Sequence, residues 1–415
     1  VKKFEIKEQY DPEENPFDRQ ERIDWWQQKR LAEAKVMVVG AGAIGNETLK
    51  NLALLGIGHV FVVDFDEISK SNLSRTVLFR KTDIGKKKAE AAALRTKELA
   101  LNDEMKIDWL HGDIVWELGT GVYREADIIL GCLDNVETRI AVNKHAFLAK
   151  KPWIDAGINE LALRVNFYNL PEPPCYQCGL SKEQLIQARR RYSCDDFKKT
   201  THAEGKVPTV QIASSIVSAL QVQEAVKYLC GQQVSSGKQI YFQGKNNDFE
   251  VFNLDTDADC YAHASYPEII EIPLGTSVHL REFLSFVSHE ELSGKGAVLS
   301  FKGDRTFVQS VNCRHCGKNI SLNRPSFRIF DTETVCQSCS ADGVRYADTD
   351  GETPSGKVAI SEFSLEISSE ELLGMTLREL GVPFLHIVSV RSSDGRFKFY
   401  QLNGDKKTVF PNWYA

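Results

Sequence analysis

"KVMVVGAGAIGNETLKNLALLG", residues 35–56, holds an apolar run that meets three glycines and then turns helical. The run Val36–Val39 does not alternate with polar residues, as expected of a strand buried on both faces. Gly40, Gly42 and Gly45 follow in a G-x-G-x-x-G pattern, and the residues after them have helical spacing. Glycines at this turn let backbone approach phosphate oxygens, while the helix N-terminus presents N–H donors and the positive end of its dipole. A second apolar run, "HVFVVDFD" (59–66), ends on Asp64, 19 residues beyond Gly45. A carboxylate there takes ribose hydroxyls, and Asp66 shares its turn. Alone, the pattern is a nucleotide fingerprint whose default reading is a nicotinamide oxidoreductase.

Outward from this stretch the pattern repeats. "GKKKAEAAALRTKELA" reads as a helix, "MKIDWLHGD" as a strand, "ADIILGCLDN" as a strand ending in acid and amide, and "ETRIAVNKHAFLAKK" as a helix. "PWIDAGI" is a short strand and "LALRVNFYNL" opens an antiparallel region. "PTVQIASSIVSALQVQEAVKYLCG" is a long helix, followed by a hairpin of "QIYFQG" and "FEVFNL". Residues 21–34 are also expected to be helical. Strands alternating with helices imply an α/β fold: a Rossmann-like, doubly wound, mostly parallel sheet. From about residue 265 the spacing changes to strand, helix, strand, then helix plus strand over "TLRELGVPFLHIVSV", and a last strand. That is a small α+β unit.

Composition narrows the function. With 415 residues, 42% hydrophobic and 26% charged, the chain is ordinary globular protein of two or three domains. It has no run of 18 apolar residues and no basic-then-apolar leader, so neither a membrane span nor a signal peptide is expected, and a cytoplasmic location follows. A formal net charge of −6 offers no general attraction for nucleic acid. Six of ten cysteines fall in three C-x-x-C pairs: Cys175/Cys178, Cys313/Cys316 and Cys336/Cys339. In a large chain without a leader, such pairs point to metal ligation under reducing conditions. Cys313, Cys316, Cys336 and Cys339 match the spacing of a closed, structural four-thiolate zinc site, inserted at about 311–342.

Hydride transfer fits the first half poorly. Asn72, Arg75 and Lys88 follow the ribose acid, and Asp134 ends a later strand beside the expected phosphates. Cations facing a triphosphate, with a carboxylate free for Mg²⁺, suit nucleotidyl transfer. A nicotinamide ring needs neither. A zinc-ribbon adaptor for nucleic acid would leave these groups unexplained, and its ribbon has few aromatics.

The set "GAGAIGNE", "DFDEISKSNLSR", "GKKKAE", "CLDN" and "CYQC", in this order, resembles the ThiF/MoeB and ubiquitin-activating enzyme superfamily over roughly residues 19–263. The resemblance implies adenylation of the C-terminal glycine of a ubiquitin-like protein by ATP and Mg²⁺. It assigns Asp64 to ribose, Asn72, Arg75 and Lys88 to phosphates, and Asp134 to the metal. "RQER" is similar to the family's N-terminal arginine motif, which reaches a partner subunit's ATP in a homodimer; Arg22 is the first candidate and Arg19 the second. The family usually closes its first zinc site with another C-x-x-C. This chain instead offers Cys260 and His263, giving Cys175, Cys178, Cys260 and His263 as a three-cysteine, one-histidine set.

Cys132 and Cys230 have apolar neighbours and read as core, which leaves Cys194 in the polar run "RRRYSCDD". In ubiquitin-activating enzymes this crossover, here about 181–208, carries the cysteine that receives the activated protein as a thioester. Arg189, Arg190 and Arg191 favour thiolate, while Asp195 and Asp196 oppose it. The organisation expected is an arm over 1–20, an adenylation domain over 21–263 and an α+β domain over 264–415. The last resembles, in coarse pattern, the ubiquitin-fold domain of larger activating enzymes and would dock a conjugating enzyme. The alternative within the superfamily is a sulfur-carrier adenylyltransferase for thiamine or molybdopterin synthesis.

Overall fold

Alternate residues of the central strands belong to two different cores. Val36, Val38, Val60, Val62, Ile128 and Leu130 pack on one face of a large sheet, and Met37, Val39, Phe61, Val63 and Ile129 on the other. This period of two within unbroken apolar runs is what a doubly covered sheet requires. The structure is a computed structural model, and it describes residues 15–186, 209–292, 296–313, 316–334, 336, 338 and 357–415.

The sheet contains β1 (Lys35–Val39), β2 (His59–Asp64), β3 (Lys106–His111), β4 (Ile128–Gly131), β5 (Trp153–Asn159), β6 (Ala162–Tyr168), β7 (Lys238–Gln243) and β8 (Asp248–Asn253). Their order is β3-β2-β1-β4-β5-β6-β7-β8. The first five strands are mutually parallel, and β5 to β8 pair antiparallel. The expected mixed α/β architecture with a large, mostly parallel sheet is therefore present. Helices Ala43–Leu54, Lys88–Leu99 and Gln211–Leu229 cover one face. Helices Thr120–Glu125 and Val136–Ala149 cover part of the other.

The remaining strands are β9 (Ile270–Ile272), β10 (Ala297–Ser300), β11 (Phe307–Asn312), β12 (Asn319–Pro325), β13 (Lys357–Ile360), β14 (Glu362–Phe363), β15 (Ile387–Ser392) and β16 (Phe397–Leu402). Five of them form a sheet in the order β14-β10-β15-β16-β9 with its own core around Phe283, Leu299, Phe363 and Tyr400. A three-stranded sheet, β12-β11-β13, carries the second cysteine cluster.

Three sequence expectations need correction. Residues 21–34 form no single helix: Asp18–Glu21 and Gln28–Glu33 are separate, with Trp26 Nε1 donating to Gln28 Oε1 (2.8 Å) at the break. Asp18–Glu21 also gives the expected arm a helical end. Residues 376–383 are turns rather than helix, because Gly381 takes φ +95 and Pro383 follows; the short helix lies earlier, at Glu370–Leu373. Lastly, the chain's end leaves the five-stranded sheet. Phe410 and Trp413 stack 4.6 Å apart against Phe61 of β2 and complete the second face of the large sheet. Buried Asp108 of β3 accepts the Asn412 and Trp413 N–H groups at 3.1 Å each.

Candidate nucleotide site and metal centres

β1 lies between β2 and β4, and Val39 is in register with both Val63 and Gly131. Three loops therefore leave the sheet side by side at its carboxyl edge: the glycine loop, the Asp64–Asp66 turn and the Cys132–Asp134 segment. The chain goes to one side after β1 and to the other after β3, which makes this the topological switch point where α/β sheets bind ligands.

The glycines have distinct duties. Gly40 adopts φ +97, and a Cβ there would lie 2.5 Å from the Cys132 carbonyl oxygen. At Gly45 a Cβ would sit 2.0 Å from the Gly40 oxygen. These two permit close backbone packing. Gly42 has open space around it and caps helix Ala43–Leu54, so that helix's first N–H groups face a clear approach. Asn46, a role that sequence reasoning missed, holds the loop from below. Its Nδ2 donates to Ala41 O (2.8 Å) and Gly42 O (3.0 Å), and its Oδ1 accepts Leu78 N–H (3.1 Å). Its only sequence signal is a polar residue on a helix face that must be buried.

Asp64 is buried, and its two oxygens accept Ala41 N–H (2.7 Å) and Asp66 N–H (2.8 Å). Burial pushes its carboxyl above the ordinary range, with Lys88 and these donors pulling the other way. Lys88 Nζ donates to the Asp66 carboxylate at 2.6 Å. Asn72 Oδ1 accepts Ser69 N–H (2.8 Å), shaping the turn Lys70–Ser74, and the Arg75 guanidinium reaches the Ser71 carbonyl at 2.8 Å. Asp134 is exposed beside Asn135, whose side chain caps helix Val136–Ala149 through Thr138 N–H (2.8 Å). Arg139, also missed, is buried beneath. It holds Asp155 (2.8 Å), the Ala156 carbonyl (3.2 Å) and the Leu133 carbonyl next to Asp134.

Cys175, Cys178, Cys260 and His263 converge, with donor atoms all within 4.8 Å of one another. Cys175 Sγ lies 3.8 Å from both Cys178 Sγ and Cys260 Sγ, and His263 Nε2 is 3.4 Å from Cys178 Sγ. Thiolates at about 2.3 Å from a tetrahedral Zn²⁺ stand about 3.8 Å apart, so donor type and spacing both fit zinc. Phe147 stacks on the His263 ring at 5.1 Å. Cys313, Cys316 and Cys336 form a second cluster, with Cys316 and Cys336 sulfurs 3.7 Å apart. Cys339, the expected fourth ligand, lies outside the described residues, as do Cys194 and crossover residues 187–208.

Cys132 and Cys230 are buried. Burial pushes the Cys132 thiol up to about 12. Arg22 pairs with Asp18 (3.0 Å) on an exposed turn, and Arg19 is exposed next to it.

Known proteins share this first half. The chain is 28% identical over 247 residues to adenylyltransferase and sulfurtransferase MOCS3 of Culex quinquefasciatus, covering 59% of this chain and 53% of that protein. SUMO-activating enzyme subunit 2 of Dictyostelium discoideum is 34% identical over 150 residues, or 36% of this chain and 22% of that protein. The chain thus spans about half the length of MOCS3 and less of the SUMO enzyme. Among solved structures, E. coli MccB with succinimide is 26% identical, covers 57% of this chain and 68% of its own, and has a TM-score of 0.46. The ThiF family profile matches residues 17–262, more than half of the sequence. The chain belongs to the ThiF family.

Proposed function

We propose that the protein uses ATP to activate the C-terminus of a ubiquitin-like protein. The product is then held as a thioester on Cys194 and passed to a conjugating enzyme. The observation that carries the adenylation step is the shared edge of the glycine loop, the Asp64 turn and the Asp134 loop. Names of relatives support it: MOCS3 is called an adenylyltransferase and the Dictyostelium protein a SUMO-activating enzyme.

The chemistry needs positioning and charge neutralisation. The glycine-loop N–H groups hold phosphates, Asp64 takes the ribose, and Asn72, Arg75 and Lys88 balance the triphosphate charge. Lys88 trades its bond to Asp66 for a phosphate oxygen. Asp134 would hold Mg²⁺, which would supply positive charge beside the pyrophosphate leaving group. The substrate carboxylate attacks the α-phosphorus, the bond to pyrophosphate breaks, and an acyl-adenylate remains. The Cys194 thiolate then attacks the acyl carbon and AMP leaves. Arg22, with Arg19 second, serves the nucleotide of a second copy, so the active species is a homodimer. Both cysteine clusters bind structural Zn²⁺, Cys339 completing the second, and the C-terminal sheet receives the conjugating enzyme. The site of action is the cytoplasm.

The test incubates the protein with candidate ubiquitin-fold proteins, ATP and Mg²⁺. ATP–pyrophosphate exchange should appear with the cognate partner and vanish in Asp134→Ala. A reducible adduct on non-reducing gels should disappear in Cys194→Ala while exchange persists. Exchange without any adduct in the unsubstituted protein favours the second reading, a sulfur-carrier adenylyltransferase, to which the MOCS3 similarity also points. Normal exchange in Asp134→Ala refutes both.

A further inference from the structure

The connection between β3 and β4 leaves the sheet at its carboxyl edge beside Asp64 and is held from outside by the C-terminal half. Trp116 stacks flat on Phe327, centroids 5.2 Å apart. Leu118 bridges Phe384, and Gly119 N–H donates to the Phe384 carbonyl (3.2 Å). Arg378 lies over the Phe384 ring at 3.9 Å and reaches Glu117, Nη2 to Oε1, at 3.6 Å. Burial disfavours the charged Arg378 and Glu117 opposes that effect.

Glu117 also faces inward. Its other oxygen accepts Asp113 N–H at 2.9 Å, and a Cβ on Gly112 would lie 3.1 Å from that oxygen. Gly112 N–H in turn donates to the main-chain carbonyl of Asp64 at 3.3 Å, just beyond the Asp64–His111 register pair. An unbroken series of contacts therefore runs from Arg378 through Glu117, Asp113 and Gly112 to the residue assigned to ribose.

We propose that Glu117 is a positioning residue: held by Arg378, it sets the backbone of Asp64, and so makes ribose recognition depend on the C-terminal half. The inference rests on Asp64 taking the ribose hydroxyls. A charge-assisted hydrogen bond lost from that site weakens binding about tenfold or more. Disturbing a contact series of this kind changes the coupling about two- to thirtyfold.

The probes are ATP and 2′-deoxyATP with Mg²⁺, titrated calorimetrically into the full chain well below its melting temperature. The unsubstituted protein should prefer ATP by about tenfold or more. Glu117→Ala and Arg378→Gln should each reduce the preference to about threefold or less, mainly by weakening ATP. Glu117→Gln keeps an acceptor for Asp113 N–H and should retain more of the preference than Glu117→Ala. A merely structural role for Glu117 would lower the melting temperature and leave the ratio unchanged; that result overturns the proposal. If Glu117→Ala does not fold, Arg378→Gln decides, and an unchanged ratio there overturns it equally. Asp64→Ala is the separate control. A preference that survives Asp64→Ala refutes the ribose assignment, and the inference falls with it. A preference lost in Asp64→Ala but kept in both other variants refutes the inference alone.

Discussion

Two glycine substitutions, one at the loop's end and one in the first turn of the helix that follows, should have opposite consequences. At Gly42 a methyl group meets nothing within 4 Å, and the backbone is extended at φ −75. Alanine is a poorer helix cap than glycine, at a cost of up to about 1 kcal/mol. Its stiffer unfolded chain returns about 0.4–1 kcal/mol. Gly42→Ala should therefore leave stability within about 0.5 kcal/mol of the parent. The same methyl occupies the open approach to the first turn of helix Ala43–Leu54. Losing one charge-assisted hydrogen bond to phosphate, worth about 1.5–3 kcal/mol, weakens ATP binding about ten- to hundredfold. At Gly45 the new carbon falls 2.0 Å from the Gly40 oxygen, which is main chain and cannot swing aside. Overpacking of this kind costs about 1–3 kcal/mol or more, so Gly45→Ala should melt about 2–10 °C lower. Thermal unfolding and ATP titration of both purified variants separate the two effects. Unchanged ATP affinity in Gly42→Ala would mean that phosphates do not approach that helix end. Unchanged melting of Gly45→Ala would refute the close packing of loop and helix.

Other outcomes are equally specific. Elemental analysis should find two Zn²⁺ per chain; Cys313→Ser should remove one, and His263→Ala should loosen the other and lower the melting temperature, since structural zinc contributes folding free energy. Retention of both ions at full stability in His263→Ala would exclude His263 as a ligand. His145 and His386 are buried with rings 6.5 Å apart, and desolvation holds both below the ordinary histidine value. Because the unfolded chain takes up protons first, stability is complete above about pH 6.5 and falls below it, by up to about 1.4 kcal/mol per pH unit per histidine, until the folded values are reached. A double His145→Gln/His386→Gln variant with undiminished acid sensitivity in urea titrations would refute this account. Trp413→Ala removes a ring seated against Phe61 and Phe410 and the Nε1 bond to the Val60 carbonyl (3.2 Å); it should cost about 3–5 kcal/mol, read from chemical denaturation. A loss under about 1 kcal/mol would show that the chain's end is not part of the core.

The stretch at 35–56 and the acids after it were enough to name the sheet, the glycine loop and the nucleotide edge, because each depends on local rules. An apolar run reveals a doubly buried strand, three glycines reveal a turn under backbone contact, and a polar residue at a strand end reveals the ligand side. Cys260 and His263, singled out through the family resemblance, do converge with Cys175 and Cys178, their donor atoms all within 4.8 Å of one another. What covers each face was not legible. The pattern around Phe61 demands burial on both sides, but hydrophobic burial is non-directional, and nothing in it selects Phe410 and Trp413, some 350 residues away, as the cover. Glu117 and Arg378 likewise carry no local signal of partnership; folding places them 3.6 Å apart. Asn46 takes its meaning from the Leu78 N–H, and Arg139 from Asp155 and the Ala156 carbonyl, groups that only the tertiary structure brings to them. Sequence determined the elements that depend on neighbours along the chain; tertiary structure alone decided how its end came to close the face beside the nucleotide half, since that contact depends on shape meeting shape at long range.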